Sequence, residues 1–361
     1  MAYTTIDNPE DFFKCVQWTG NSSEPRNIDV GFQTDINWMK DCTIAYHHRF
    51  FDSSRTSGGY GKALYVNMDK VEDYYNDHPE IDYGNSPYSN GFRIVDNQTS
   101  GGTTNSVGVN QNNSIMTSWN WKCNGGTTST NTDGDINSTV QVNTTAGLSI
   151  VTYSPSNTTV RTIGHGLGSR PDFIAIRNRT RAETWRTSWY IKGWGGMAWN
   201  EEYPYNTTSP SSLVRTADNS TFTVGSDFSV NGNYNYVAYC WKAIQGYSKF
   251  GDYYGNGQTS SGTFVHTGFK PAMVIVKSVE SGTSNMIMDN QRSAHNVVAS
   301  RFKTNATDVP ATNLDIMNFT SSGFQLRIND SSFNTNGHQY MYFAFAERPF
   351  VTSSGVPTCA H

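Results

Sequence analysis

The chain has 361 residues, of which 16% are charged, and its formal net charge at pH 7 is −4. This balance argues against nucleic-acid binding, which needs clustered Lys and Arg, and no apolar run approaches the roughly 20 residues that cross a bilayer. The polarity comes from Asn, Ser, Thr and Gly, whereas the residues that favour long helices are scarce. With 13% aromatic residues, the composition predicts an all-β chain of two or three domains.

The first predicted element is an N-terminal arm, residues 1–14, that carries the adjacent aromatic residues Phe12 and Phe13. It has neither the basic nor the apolar region of a signal peptide. We expect both phenylalanine rings to be exposed. Because apolar aromatics on a segment too short to fold alone commonly dock on a partner, Phe12 and Phe13 are candidate assembly contacts.

Three later segments share one pattern, a glycine turn followed by an alternating apolar strand that ends in a cation. They are Val30–Lys40, His165–Arg177 and His266–Lys277. An aromatic strand closes each copy, at residues 119–122, 236–242 and 340–346. Pro171 and Pro271 lie about 100 residues apart, beyond the roughly 20–50 residues of a solenoid unit. The pattern predicts three tandem β-sandwich repeats of about 100 residues each.

The predicted organisation follows from these copies and from the composition between them. It consists of an N-terminal arm (1–14), repeat 1 (15–123), a linker (124–147), repeat 2 (148–246), repeat 3 (247–350) and a C-terminal arm (351–361). The linker is rich in Asn, Gly and Thr, with a short strand predicted at residues 138–142. Repeat 1 has Thr34 in place of proline and an insertion around residues 69–89, where we expect a specialised contact.

Five motifs spread over almost the whole chain carry a family resemblance. They are residues 1–9 (MAYTTIDNP), 121–128 (WKCNGGTT), 131–136 (NTDGDI), 163–168 (IGHGLG) and 246–251 (GYSKFG). Together they resemble the tandem-repeat virion proteins of marine tailed bacteriophages, which are often labelled tail fibre-like. The resemblance implies a structural virion component with a sandwich-like fold, lectin-like or jelly-roll-like, and brings no catalytic motif.

From this resemblance we expect a non-enzymatic protein of the phage tail or its fibres, made in the host cytoplasm. Its expected partners are other virion proteins and itself, as a homo-oligomer, since fibres are often trimers. Repeated sandwiches are expected to build length. Two alternatives stay open: a carbohydrate-binding module that recognises host polysaccharide, and a capsid decoration or fibre protein.

We predict no metal site and no cofactor. His47 and His48 would point to opposite faces of a strand, and Asp133 and Asp135 lack the glycine and glutamate that complete a calcium loop. The glycine-rich turn at residues 164–168 has no following Lys-Ser/Thr to hold a phosphate.

Two acidic residues recur with an arginine three positions later. The pairs are Asp52 with Arg55, and Asp289 with Arg292. A catalytic carboxylate would need a second acid or a nucleophile at a fixed distance, and none recurs. We interpret both pairs as ion pairs that pin loops.

The stretch from Trp185 to Tyr205 is the densest in aromatic residues, and aromatic faces stack on sugar rings. Trp189 and Trp199 fall where the other copies have core residues, so we predict that they are buried. Trp194 lies between glycines and is expected to be exposed. The candidate glycan contacts are therefore Trp194, Tyr203 and Tyr205.

Overall fold

The computed structural model describes residues 2–73, 80–95, 108–194, 196–204, 213–280 and 282–358. Over these ranges the chain forms 28 strands and two short 3-10 helices, Pro9–Asp11 and Tyr190–Lys192, with no α-helix. The prediction of an all-β fold is confirmed. No helix in the described ranges is long and apolar enough to span a membrane.

The first sheet pair is built from strands described between Phe13 and Trp121. They are β1 (Phe13–Thr19), β2 (Arg26–Asp29), β3 (Ile36–Asp41), β4 (Arg49–Asp52), β5 (Thr56–Ser57), β6 (Tyr60–Gly61), β7 (Leu64–Tyr65), β8 (Glu80–Ile81), β9 (Gly91–Val95) and β10 (Ile115–Trp121). The larger sheet has the order β1-β10-β3-β4-β7 and the smaller one β2-β9-β8. Val16, Phe51 and Phe92 belong to the core between these two sheets.

The second sheet pair follows. Its strands are β11 (Ser129–Asn131), β12 (Ser138–Asn143), β13 (Leu148–Tyr153), β14 (Arg161–Gly164), β15 (Phe173–Asn178), β16 (Arg186–Trp189), β17 (Gly196–Ala198), β18 (Val214–Ala217), β19 (Thr221–Val224) and β20 (Tyr236–Trp241). The larger sheet has the order β11-β12-β13-β20-β15-β16-β17 and the smaller one β14-β19-β18. Residues 124–147 are therefore not a free linker, because β11 and β12 extend the larger sheet beside β13.

The third sheet pair uses the remaining strands. They are β21 (Ser248–Tyr254), β22 (Phe264–His266), β23 (Phe269–Ser278), β24 (Met286–Asp289), β25 (Phe302–Lys303), β26 (Met317–Thr320), β27 (Gly323–Leu326) and β28 (Gln339–Pro349). The larger sheet has the order β21-β28-β23-β24-β25 and the smaller one β22-β27-β26. The same arrangement thus occurs in each pair: the closing aromatic strand lies between the opening strand and the strand that follows the glycine turn.

Each larger sheet buries both of its faces. In β28 the alternation is clear, because Tyr342 and Ala344 face the smaller sheet of the same pair, whereas Phe343 and Phe345 face away from it. The faces that point away from the smaller sheets pack together as one central core, to which all three pairs contribute. Seven of the nine tryptophans lie there: Trp38, Trp119, Trp121, Trp185, Trp189, Trp199 and Trp241.

The three sheet pairs therefore surround a common core and do not follow one another end to end. This overturns the expectation that repeated sandwiches build length. The physical reason is that a three-stranded sheet covers only one face of each larger sheet, and an aromatic second face left in water would be costly.

The N-terminal arm is packed against the molecule, so the expectation that Phe12 and Phe13 are exposed is wrong. Phe13 is the first residue of β1 and is 0% exposed; its ring stacks on Phe345 of the third sheet pair at 4.8 Å between centroids. Phe12 is partly buried against Tyr247. Both aromatics are used inside the chain because β1 lies where the first and third pairs meet.

The two ends of the chain also contact each other. The Tyr3 hydroxyl donates to the Gly268 carbonyl at 2.7 Å, and the Ser353 amide donates to the Asp7 carboxylate at 2.6 Å. The described part of the predicted C-terminal arm is a turn, closed by a bridge between Val351 and Pro357. Contacts at both termini thus hold the first and third sheet pairs together.

Replacing Phe343 by alanine tests whether the central core couples the sheet pairs. Its ring contacts Phe173, Trp199 and Trp241 of the second pair, so we expect a loss of about 3–5 kcal/mol in unfolding free energy. Hydrogen exchange should accelerate in β15 of the second pair as well as in β28. An acceleration confined to the third pair would contradict the shared core, and Phe324→Ala, inside the third pair's own core, is the matched control.

Candidate functional site

Trp194 is buried, contrary to the expectation from its flanking glycines. It is 5% exposed and belongs to the core of the second sheet pair together with Leu213 and Val230. Its backbone has φ 64°, in the left-handed region, two residues after the end of the 3-10 helix. The Tyr190 ring, 5.9 Å away between centroids, covers it from outside. Trp194 therefore presents no free face on which a sugar could stack.

The other two candidate glycan contacts have different outcomes. Tyr203 is exposed, with 68% of its surface accessible. Tyr205 lies outside the described residues. The burial predicted for Trp189 and Trp199 is confirmed, since both belong to the central core.

His48 is a structural link and not a metal ligand in this arrangement. It is fully buried; Nδ1 accepts from the Trp38 indole at 3.0 Å, and Nε2 lies 3.0 Å from the Lys303 carbonyl of the third sheet pair, to which it donates. Burial, with a smaller effect from Lys40, lowers the pKa of His48 well below its usual value. The imidazole is thus neutral, and both nitrogens are engaged.

The carboxylate–guanidinium cluster of Asp52, Arg55, Glu72 and Arg179 is the largest buried ionic group. Arg55 Nε lies 2.5 Å from Asp52 Oδ2, and its Nη1 lies 2.5 Å from Glu72 Oε1. Arg179 of the second sheet pair binds both oxygens of Glu72, at 3.0 Å each. Burial alone would raise the pKa of Glu72, but the two guanidinium groups outweigh it and hold the pKa below its usual value.

Glu72 lies in the insertion where a specialised contact was expected, and its partner Arg179 shows that this contact is made inside the chain. The Glu72 amide also donates to the Arg179 carbonyl at 2.9 Å. Residues 74–79 of the insertion lie outside the described residues. The described part of the insertion therefore joins the first sheet pair to the second.

A tyrosine completes the cluster from across the central core. The Tyr239 hydroxyl, in β20, donates to Asp52 Oδ2 at 2.5 Å. Asp52 Oδ1 accepts from the Ser54 amide at 3.0 Å, which closes the loop after β4. The interpretation of this pair as a loop pin is confirmed, and the same carboxylate also bonds the neighbouring sheet pair.

The second acidic residue repeats this arrangement between the third and first pairs. Asp289 ends β24 as Asp52 ends β4, and its Oδ2 lies 2.7 Å from Arg292 Nε. The same oxygen accepts from the Trp119 indole of β10 at 3.1 Å. By strand register Trp119 occupies in β10 the place that Tyr239 has in β20. A carboxylate bound to an aromatic donor thus recurs at two of the junctions.

At the remaining junction neither partner is a carboxylate. Trp189 ends β16, where β4 and β24 end in aspartate, and Phe343 holds in β28 the place of the two aromatic donors. Trp189 and Phe343 line one small cavity between the second and third pairs. No carboxylate is therefore buried at this junction, and the Trp189 indole N–H is buried without a hydrogen-bond partner.

Three buried cations form a second set of side chains that occupy equivalent positions in the three sheet pairs. Lys40, Arg177 and Lys277 are each at most 2% exposed, at the ends of the strands that follow the glycine turns. Each donates to backbone carbonyls, for example Lys40 to Asp41 at 2.8 Å and Arg177 to Lys70 of the first pair. Burial lowers the pKa of Lys40 and of Lys277 to about 8, and that of Arg177 to about 9.

The remaining sequence candidates are engaged in turns. Asp133 accepts from the Asn131 amide nitrogen and Asp135 from the Thr162 backbone, each at 2.9 Å. His165 is buried and accepts from the Leu167 amide at 3.1 Å, as expected of a residue that stabilises a turn. Across the described ranges no group of three or more His, Cys, Asp and Glu side chains is arranged to hold a metal ion.

Sequence reasoning found the two Asp–Arg pairs but missed their partners Tyr239 and Trp119. Spacing along the chain reports contacts within one loop, whereas these donors lie more than 150 residues away in sequence. The signal that could have revealed these donors is the closing aromatic strand of each copy, because Tyr239 and Trp119 occupy equivalent positions in β20 and β10. The chemistry of the site is that of a structural junction, because the carboxylate oxygens already accept internal hydrogen bonds.

A family model described as a domain of unknown function (DUF7483) matches residues 8–349. The chain therefore belongs to this family. The match runs from the N-terminal arm to the end of β28, so the family unit includes all three sheet pairs and their common core. No curated protein and no solved structure matches the chain.

Replacing Tyr239 by phenylalanine removes the hydroxyl that Asp52 accepts and leaves the ring. A buried hydrogen bond to a charged group contributes about 1.5–3 kcal/mol, so we expect a loss of that size in unfolding free energy, measured by urea denaturation. Tyr254→Phe is the matched control, because Tyr254 is 60% exposed. Equal denaturation midpoints for the two variants would contradict the role of this contact.

The buried lysines generate a pH dependence. The folded-state pKa of Lys40, about 8, lies below the ordinary lysine value of 10.5. Between these two values the unfolded state binds more protons, so the contribution of Lys40 to stability rises with pH. We expect the stability of Lys40→Met relative to the unsubstituted protein to fall as the pH is raised from about 7 to about 9.5. Parallel pH profiles would contradict a desolvated ammonium, and Lys14→Met at a half-exposed position is the control.

Proposed function

We propose that this protein is a non-enzymatic structural component of a bacteriophage particle, located in the tail or its fibres. The motifs shared with tail fibre-like virion proteins motivate the assignment. The observation that carries it is the central core, which makes three sheet pairs into one body held by apolar packing and by the two carboxylate–aromatic contacts. A particle component must keep its shape outside the cell, and a shared core resists opening of any single part.

The internal use of the ionisable groups supports a structural role over catalysis. The recurring carboxylates, Asp52 and Asp289, are 0% exposed and bind donors from the neighbouring sheet pairs. A catalytic acid or base needs a reacting atom within hydrogen-bond reach. Here those positions are occupied by Tyr239 and Trp119.

The common core of the three sheet pairs also limits the role that one chain can have in a particle. Length would have to come from other chains, because the three sheet pairs are packed around one core. Homo-oligomerisation and contacts with other virion proteins are part of the proposal, and they would use the outer surfaces of the sheet pairs. Host glycan recognition is the weaker candidate function, since Trp194, its principal residue, is buried.

Fractionation of purified particles tests the proposal. We expect the protein to remain with intact, nuclease-treated virions in a density gradient and to separate with tails after the capsids are disrupted. Mass spectrometry of the tail and capsid fractions is the measurement. Absence of the protein from intact particles would refute the assignment, and recovery with capsids alone would refute the tail location.

A further inference from the structure

The opening strand of each larger sheet has one side that the closing aromatic strand does not cover. In the second sheet pair, β12 covers this side of β13 through six antiparallel residue pairs, from Ser138–Tyr153 to Asn143–Leu148. In the sheets described here β1 and β21 are terminal strands. The second pair therefore shows what an edge of this kind accepts.

The segment on β13 is extended and carries β-branched residues at alternate positions. Val140 enters the core of the second sheet pair, and Val142 packs against it. The Ser138 hydroxyl donates to the Gly164 carbonyl of β14 at 2.7 Å, so the segment also reaches the smaller sheet. It closes the opening between the two sheets at this edge.

The corresponding opening in the third sheet pair is a groove of about 370 Å³ between β21 and β22. By strand register Gly251 takes the place of Val151 in the second pair, and the ring of Tyr342 from β28 occupies the space that a side chain at this position would need. Phe264 lines the groove and is 48% exposed, and Ile191 from the second pair, 49% exposed, forms the other wall. Exposed apolar walls beside a free strand edge are the features that β-strand addition uses.

In the first sheet pair Val16 has the register position of Gly251, and its side chain packs in the core between the two sheets. Among the described strands, the second edge is covered by β12, whereas the third borders a groove with two exposed apolar walls.

Charged side chains that commonly protect an edge strand from pairing are turned inward along β21. The Lys249 ammonium donates to the His266 carbonyl of β22 at 2.6 Å, and Asp252 accepts from Gln339 of the neighbouring strand β28. Both charges are used inside the sheet pair, so they do not block an incoming strand.

We propose that β21 and its groove accept an extended strand from another protein, antiparallel to β21, with β-branched or larger apolar residues at alternate positions. The chain's own strand of this type is already bound to β13, and residues 242–247 lead directly from β20 into β21, so β21 has no counterpart of β12 immediately before it. The site rests on the geometry of the third sheet pair and is independent of any location in a particle.

The test uses a synthetic peptide of residues 136–144, acetylated and amidated, as the probe strand. We expect saturable binding with one peptide per protein by calorimetry, and slower hydrogen exchange in β21. Phe264→Ser removes an apolar wall and should weaken binding by about tenfold or more. Ile115→Ser, at an equally exposed apolar position in the first pair, should leave it unchanged.

Several results would contradict the proposed strand-binding site, and each can be distinguished from the others. No saturable binding at millimolar peptide would overturn the site, as would protection of β1 in place of β21 or equal affinities for the two variants. A peptide in which both valines are replaced by asparagine should bind at least tenfold more weakly; equal binding would remove the alternating pattern from the proposal. A further contrary result is that the protein alone forms dimers in sedimentation experiments, with β21 amides that are protected from hydrogen exchange. That result would show that the strand comes from a second copy, and it would refute the assignment to another protein.

Discussion

Two of the three junctions between the sheet pairs depend on a carboxylate of one pair that accepts a hydrogen bond from an aromatic donor of another. Apolar packing alone is non-directional, so the central core could be filled in several relative orientations of the three larger sheets. A buried carboxylate is costly unless it is hydrogen-bonded. Asp52 and Asp289 therefore favour the one arrangement in which Tyr239 and Trp119 reach them. At the third junction Trp189 and Phe343 hold these two places, so no charge is buried there without a partner.

This constraint explains the shape of the whole chain. Because the larger sheets are apolar on both faces, the smaller sheets and the central core are both needed to remove them from water. The N-terminal arm, the insertion that carries Glu72 and the segment of β11 and β12 then act as ties between or along the pairs. Their composition, rich in Asn, Thr and Gly, suggests that these segments lie at the surface. In these places they are instead parts of the sheets. Among the described strands β21, like β1, is a terminal strand of its sheet.

Much of the local structure was predictable because it depends on neighbours in sequence. Alternation of apolar residues identified the strands around Ile174 and Val274, and the i, i+3 spacing identified the Asp–Arg pairs. The failures have a common cause. Trp194 and Phe13 were expected at the surface from their immediate flanks, but both are covered by residues distant in sequence. Flanking glycines report the freedom of the backbone and not the direction of the ring.

The sequence by itself determined the all-β class, the recurrence of a strand that ends in a cation, and the two Asp–Arg pairs. Each of these follows from period-two patterning or from the spacing of two side chains. Only the tertiary structure decided that the sheet pairs share a core, that Tyr239 and Trp119 complete the carboxylates, and that among the described strands β12 covers the edge of β13. Those outcomes depend on which sheet faces meet, and these faces are distant in sequence. The apolar pattern of a strand is the same whether its second apolar face packs against this chain or against another chain.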